Sequence, residues 1–330
     1  MRKTLALMST IILLVTPQAA AEDADSTGVF HRIGTRVNRL LDLRDGRFRV
    51  DTLYLRRVPG GLRMRVSLKA HGTRLEAEGV NGGSRFRSDL ETQVKYVVSV
   101  SAHYRGLSLA LSLNPLRWSG KNKDFEVEVN AYGNRMGADI VYQSANTFGG
   151  VVTTDGGEET VAAGTVSQDL FIAGAYYTFN GRRFSYPAAF GVSWEQRKSC
   201  GSWMIGASLL ARTIDVPTHG DFNLRAFYVA LGGGYGYNAV VRGSWLLHVS
   251  ALPQLVAYSR GSVESYGERR SVSTRFPDVI YVGRLGVTKH FGRYFAGMNA
   301  IVNASHIGGD DVVAIGNVKW QGRFFFGFSL

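Results

Sequence analysis

Three sets of residues in this chain have the types that do chemistry. In the stretch DVPTHGDF, Asp215, His219 and Asp221 bring two carboxylates close to an imidazole, the combination of a general base and the group that orients it. No nucleophile or metal-ligand spacing accompanies them. His306 with Asp310 and Asp311 repeats the pattern, but both sets read far better as acidic turn residues beside a histidine in a solvated loop. The third set is electrostatic: Glu126, Glu128 and Asp139 interrupt apolar, alternating stretches. They require counter-charges, for which Arg197, Arg212 and Arg323 are the candidates, as a lumen polar network. A single cysteine, Cys200, excludes an intramolecular disulfide framework. No phosphate-cradling loop and no cofactor motif is present, so no cofactor is expected.

The walls that would hold these charges are strands. The chain has 330 residues, with 40 Gly, 15 Tyr, 18 Phe and only 7 Pro, a composition of strands and tight turns. After the N-terminal segment no run approaches the 18 or more apolar residues of a spanning helix. Strands of about 9 to 11 residues with alternating faces cross a membrane as a closed barrel instead. In 92–104, Val94, Tyr96, Val98, Val100, Ala102 and Tyr104 oppose Lys95, Ser99, Ser101 and His103. In 125–131, Phe125, Val127, Val129 and Ala131 oppose Glu126, Glu128 and Asn130. A charge on the lipid face is costly at the bilayer midplane, up to about 2–4 kcal/mol for Arg or Lys and less for Asp or Glu, so Glu126, Glu128 and Asp139 must face the lumen.

The N-terminus reads as a secretory signal over 1–21: Arg2 and Lys3, an apolar run from Leu5 to Val15, then Ala19-Ala20-Ala21. Residues 22–50 form an N-terminal periplasmic segment, in which Phe30, Ile33, Val37, Leu40 and Leu41 make one face of a short basic amphipathic helix. The barrel proper is expected over 51–330. The net charge of +12 would suggest nucleic acid in a cytosolic protein, but an exported chain does not meet it. Lumen carboxylates, outer-membrane lipid and lipopolysaccharide phosphates are the expected partners of its arginines.

Tight turns are expected near 105, 134, 239 and 292 at the periplasmic end, and loops at 79–91, 115–123, 147–164, 214–223, 259–278 and 308–312 at the other. That assignment holds only if 180–200 does not add a spanning strand. Pro187 suits a first helical turn, followed by Ala188 and Ala189, and Gly201 suits a stop. A strand reading competes, because Ala188, Phe190, Val192 and Trp194 also alternate. The insert reading predicts an all-β, antiparallel transmembrane β-barrel of about 12 strands, within roughly 10 to 14.

The segment FSYPAAF (Phe184, Ser185, Tyr186, Pro187, Ala188, Ala189, Phe190), followed by Gln196, Ser199, Gly201 and Ser202, resembles the motif of a Bacteroidetes outer-membrane barrel family known as a domain of unknown function. YRGLSLALSLNP, VNAYGNRMGADIVYQ and GGGYGYN extend the resemblance over most of the mature chain. The family carries a small residue in place of Cys200, so the resemblance implies no cysteine chemistry. It implies no catalytic residues either. At the C-terminus, Phe324, Phe326, Phe328 and Leu330 share a face, similar to the terminal-strand signal read by the outer-membrane insertion machinery. The functional reading is an outer-membrane barrel, non-enzymatic, that binds or passes a ligand or stabilises the envelope. The competing reading is an outer-membrane lipid- or peptide-hydrolysing enzyme.

Overall fold

The computed structural model describes residue 35, then 49–58, 62–81, 84–105, 107–113, 125–190, 194–216, 222–242, 244–265, 267–272, 278–309 and 313–330. The signal segment and the N-terminal amphipathic helix lie outside these residues, apart from Thr35, which is helical. The elements are β1 (Leu55–Arg57), β2 (Leu62–Asn81), β3 (Ser84–Thr92), β4 (Lys95–Tyr104), β5 (Leu107–Leu113), β6 (Phe125–Tyr132), β7 (Met136–Thr154) and β8 (Gly157–Thr178). A 3-10 turn, η1 (Tyr186–Phe190), and β9 (Trp194–Gln196) follow. The second half holds β10 (Cys200–Val216), β11 (Phe222–Val241), β12 (Trp245–Ser265), β13 (Glu268–Val272), β14 (Val279–Phe291), β15 (Tyr294–Gly309) and β16 (Val313–Ser329).

Twelve of these strands, β2, β4 to β8, β10 to β12 and β14 to β16, pair antiparallel into a ring. The last closes on the first, Val313 opposite Gly79 through Ser329 opposite Arg63, so both terminal ladders find partners. β3 and β4 both pair with β2 and act as one strand broken after Thr92. Above that break β3 also pairs directly with β7, so the β5–β6 hairpin widens only the lower half of the wall.

Burial is inverted relative to a water-soluble protein. Lys69 is 1% exposed and Phe324 65%. The outward positions of β2 from Met64 to Gly72, of β10 from Trp203 to Ala211, of β12 from Leu247 to Leu255 and of β16 from Trp320 to Phe328 are all apolar or glycine. An apolar surface on that scale is compatible with lipid and not with water.

The turns at Arg105, 133–135, 242–244 and 292–293 share one end of the barrel. Arg105 and Arg242 adopt φ of 50° there, and a glycine follows each, as hairpin turns of this twist demand. The turn expected near 239 is displaced to 242, because β11 carries GGGYGYN within its ladder. At the other end, much of what reads as loop is strand. β2 and β3 meet across 82–83, β7 and β8 across 155–156, and β12 with β13 occupies much of 259–278. Gly, Thr and charged residues crowd these extensions, so the apolar alternation that marks a strand fades. Between β8 and β10 the described residues of 179–199 add no strand to the ring, and β9 pairs with β1 in a separate two-stranded ladder.

Candidate functional site

The lumen is filled in tiers. At the loop end Leu75, Leu90, Phe148, Val166, Ile214, Leu224 and Ile315 meet in one apolar cluster, continued by Leu170, Leu210, Tyr228, Val256 and Ile280. Below it on one side lies a charged network. Glu126 and Glu128, two apart on β6, face inward together. Lys69 Nζ lies 2.8 Å from Glu128 Oε2 and 3.5 Å from Glu126 Oε1. Lys319 Nζ is 3.3 Å from Glu126 Oε2, and Arg323 Nη2 is 3.0 Å from Glu128 Oε2. These pairs come from β2, β6 and β16, so the network ties together strands from both ends of the chain.

The other residues singled out as lumen charges are distributed differently. Asp139 pairs with Arg284 on β14, 3.4 Å away. Arg212 is buried on the inward face of β10, between Leu210 and Ile214, and its Nε and Nη2 have no hydrogen-bond partner among the described residues. Arg197 corrects the sequence reading: it is exposed, just past β9 where the chain is outside the wall, and its amide donates to the Tyr54 carbonyl. Asp215 accepts a hydrogen bond from the Asn223 side-chain amide, which occupies it as a ladder residue. His306 is exposed on β15. His219, Asp221, Asp310 and Asp311 lie outside the described residues.

The lower tier is made by the motif itself. Phe184, Ser185 and η1 are all buried, and wall side chains meet the backbone groups that one helical turn leaves unpaired. Ser185 N donates to Gln196 Oε1 at 3.0 Å, and Asn238 Nδ2 donates to Ser185 O at 2.8 Å and to Gln196 Oε1 at 3.0 Å. Thr288 Oγ1 donates to Ala189 O at 2.9 Å, and Arg65 Nη1 to Phe190 O at 3.0 Å. Gln196 Nε2 donates to Arg183 O at 2.6 Å and Lys198 O at 3.0 Å. Ser202 Oγ accepts from Asn180 N, and Ser199 Oγ from Val240 N, each at 2.9 Å. The Arg284 guanidinium stands 5.2 Å from the Tyr186 ring and 5.5 Å from that of Phe190. Glycine makes room: a Cβ at Gly236 would lie 3.0 Å from Phe184 Cζ, and one at Gly286 3.1 Å from Ala189 O. FSYPAAF is thus a plug in the turn end of the barrel, and GGGYGYN is part of its seat.

One arrangement under the plug has catalytic types that sequence reading missed. His248 Nε2 is 3.0 Å from Ser250 Oγ, and its Nδ1 is 2.7 Å from Asn238 Oδ1. Because Asn238 Nδ2 is engaged as a donor, its Oδ1 faces the ring. Nδ1 then carries the proton and Nε2 accepts from Ser250. This is the order of a nucleophile, a base and an orienting amide. The signal was legible as His248 and Ser250 two apart in a strand, hence on one face. Its surroundings are those of an anchor. The rings of Phe184, Tyr186 and Phe190 lie 6.3, 5.4 and 5.6 Å from that of His248. Tyr186, whose hydroxyl burial pushes above its ordinary pKa, is itself hydrogen-bonded with Ser250.

No curated protein matches the chain. Among solved structures it is similar to the outer membrane protease OmpT from Escherichia coli, at 8% identity over 83% of this chain and 98% of that one, with a TM-score of 0.44. It is also similar to the translocator domain of the autotransporter NalP from Neisseria meningitidis (14% identity, 93% and 98% covered, TM-score 0.33). The P. putida toluene transporter TodX gives 6% identity, 83% and 91% coverage and a TM-score of 0.28. Likeness at this level carries nothing about activity. The family comparison is direct: residues 49–329 match the family described as a domain of unknown function, DUF4421, and the chain belongs to that family.

Proposed function

We propose that this protein is an outer-membrane β-barrel of a Gram-negative envelope, of the Bacteroidetes kind its motif resembles, that works as a closed, non-enzymatic binding or structural element. The observation that carries this reading is the filled lumen, with the η1 plug, the Lys69–Glu126–Glu128–Lys319–Arg323 network and the apolar cluster at three levels. Each tier occupies space that a pore would need. The apolar outer belt and the even strand number support the membrane setting. So does the signal expected over 1–21, with 22–50 left in the periplasm beside the turn end. The aromatic face of β16, Phe324, Phe326 and Phe328, fits delivery by the insertion machinery. The test is purified protein in planar bilayers together with cell fractionation. No steady conductance and heat-modifiable migration in the outer-membrane fraction are expected; a stable open-channel current would falsify the closed reading.

The Ser250–His248–Asn238 line favours a second reading, a hydrolase whose site opens when the plug moves. A fluorophosphonate probe distinguishes them. Labelling at Ser250 supports the enzyme, and an unlabelled protein with the plug displaced by Gly286→Val, where the added side chain meets Ala189 O and the Ser250–His248–Asn238 line is untouched, removes it.

A further inference from the structure

On the outer surface, where β7, β8, β10 and β11 meet the β12–β13 hairpin, a groove of about 760 Å³ opens. Tyr142, Phe171 and Phe227 line it, together with Arg225, Arg260 and Arg269. Register puts Arg260 opposite Phe227, Arg225 opposite Ser262 and Arg269 opposite Glu264, so the three guanidinium groups share the outward face. All three arginines are exposed. Arg225 Nε donates to Asn223 Oδ1 at 3.2 Å and Arg269 Nη2 to Ser262 Oγ at 3.4 Å. None of the three makes an ion pair among the described residues. Asp169 also lines the groove, and its Oδ1 accepts from the Tyr142 hydroxyl at 3.4 Å.

The carboxylates on the same face, Glu264 opposite Arg269 and Asp169 beside Tyr142, make no ion pair with these guanidinium groups among the described residues, so the three forks stay open to an external anion. Their position matters as much. They stand where the apolar belt gives way to polar residues, at the loop end, while the aromatic residues below them belong to the belt. At the turn end basic residues are differently used: Lys289 sits 4.9 Å from the Trp245 ring and Arg293 5.2 Å from that of Tyr294, each with its own ring. A guanidinium fork matches phosphate oxygens bidentately, and a ring just below headgroup level packs on acyl chain.

We propose that this groove binds the phosphate-bearing headgroup of an outer-leaflet glycolipid, with Arg225, Arg260 and Arg269 on the phosphate and Tyr142, Phe171 and Phe227 against the acyl chains. The site rests on the outer-membrane reading, because the loop end must face the outer leaflet. Its test is native mass spectrometry of the full chain in detergent micelles, titrated with bis-phosphorylated lipid A, with dephosphorylated lipid A and with inorganic phosphate. Wild type is expected to hold bis-phosphorylated lipid A at least about tenfold more tightly than R225Q/R260Q/R269Q, and than it holds either of the other probes. The turn-end variant R242Q/R293Q should bind as wild type does. Undiminished binding by the triple variant, equal binding of the dephosphorylated lipid or of inorganic phosphate, or equal loss in the turn-end variant overturns the site. Heat-modifiable migration certifies that each variant is folded. Binding in micelles by a chain that fractionates away from the outer membrane would sink the localisation and leave the site; the reverse result sinks the site alone.

Discussion

Lys69 is the residue on which the lumen charges converge, since among the described residues it alone contacts both Glu126 and Glu128. Removing one member of a buried ionic set leaves an uncompensated charge, whereas removing matched members does not. Lys69→Met is therefore expected to destabilise the barrel by about 3–5 kcal/mol, measured by urea unfolding in micelles. Lys69→Met with Glu128→Gln should recover part of that loss; a single variant as stable as wild type would show that the network contributes nothing. Gly236 makes a steric counterpart. A methyl there presses on Phe184 Cζ and Met204 Sδ, at 3.0 and 3.2 Å, and both are buried. Gly236→Ala should cost about 1–3 kcal/mol as overpacking, read in the same unfolding assay, with Gly233→Ala, where the nearest atom is 3.5 Å away, as the mild comparison.

At the scale of the element, the plug is one short turn held from several strands, and its own backbone supplies little. Gln196 and Asn238 clamp Ser185 from two sides, so Asn238→Ala should release it more readily than a loss at an exposed position. The measurement is thiol access: in a Cys200→Ser background, Ser250→Cys is expected to resist a membrane-impermeant maleimide until Asn238→Ala is added. Rapid labelling without that second change would mean the plug does not cover the site. Strand parity and Pro187 favour a non-spanning insert over the competing alternation of Ala188, Phe190, Val192 and Trp194, and the ring has no strand between β8 and β10 among the described residues. That the insert folds back into the lumen was not readable, since FSYPAAF is apolar whether it packs on the barrel mouth or inside it. The strand extensions above the membrane escaped for a related reason. Residues 148–164 are rich in Gly and Thr and their few apolar residues show no regular alternation, yet their backbone ladder between β7 and β8 continues to Thr154 and Gly157, and Phe148 and Val161 pack inward.

For the whole molecule, the inverted burial makes a sharp forecast. Leu231 is 55% exposed on the belt, and Leu231→Arg should cost about 2–4 kcal/mol in a bilayer, measured as folding yield into lipid vesicles. In a water-facing protein the same change at an exposed position would be nearly silent. A silent Leu231→Arg would therefore count against membrane insertion.

The sequence by itself determined the local properties of the wall: where the apolar alternating strands run, which face of each is apolar, and that Glu126, Glu128 and Asp139 point inward. Alternation carries this information because side chains on a strand repeat every two residues. Only the tertiary structure decided who meets whom. Arg323 reaches Glu128, Asp139 takes Arg284 and Arg197 falls outside, because these pairings depend on how ring closure and strand stagger bring distant strands to one level. The β11–β12 hairpin sets Asn238 opposite His248, and the fold-back of the insert brings Ser185 to the same amide, which seats a plug that no local pattern announces.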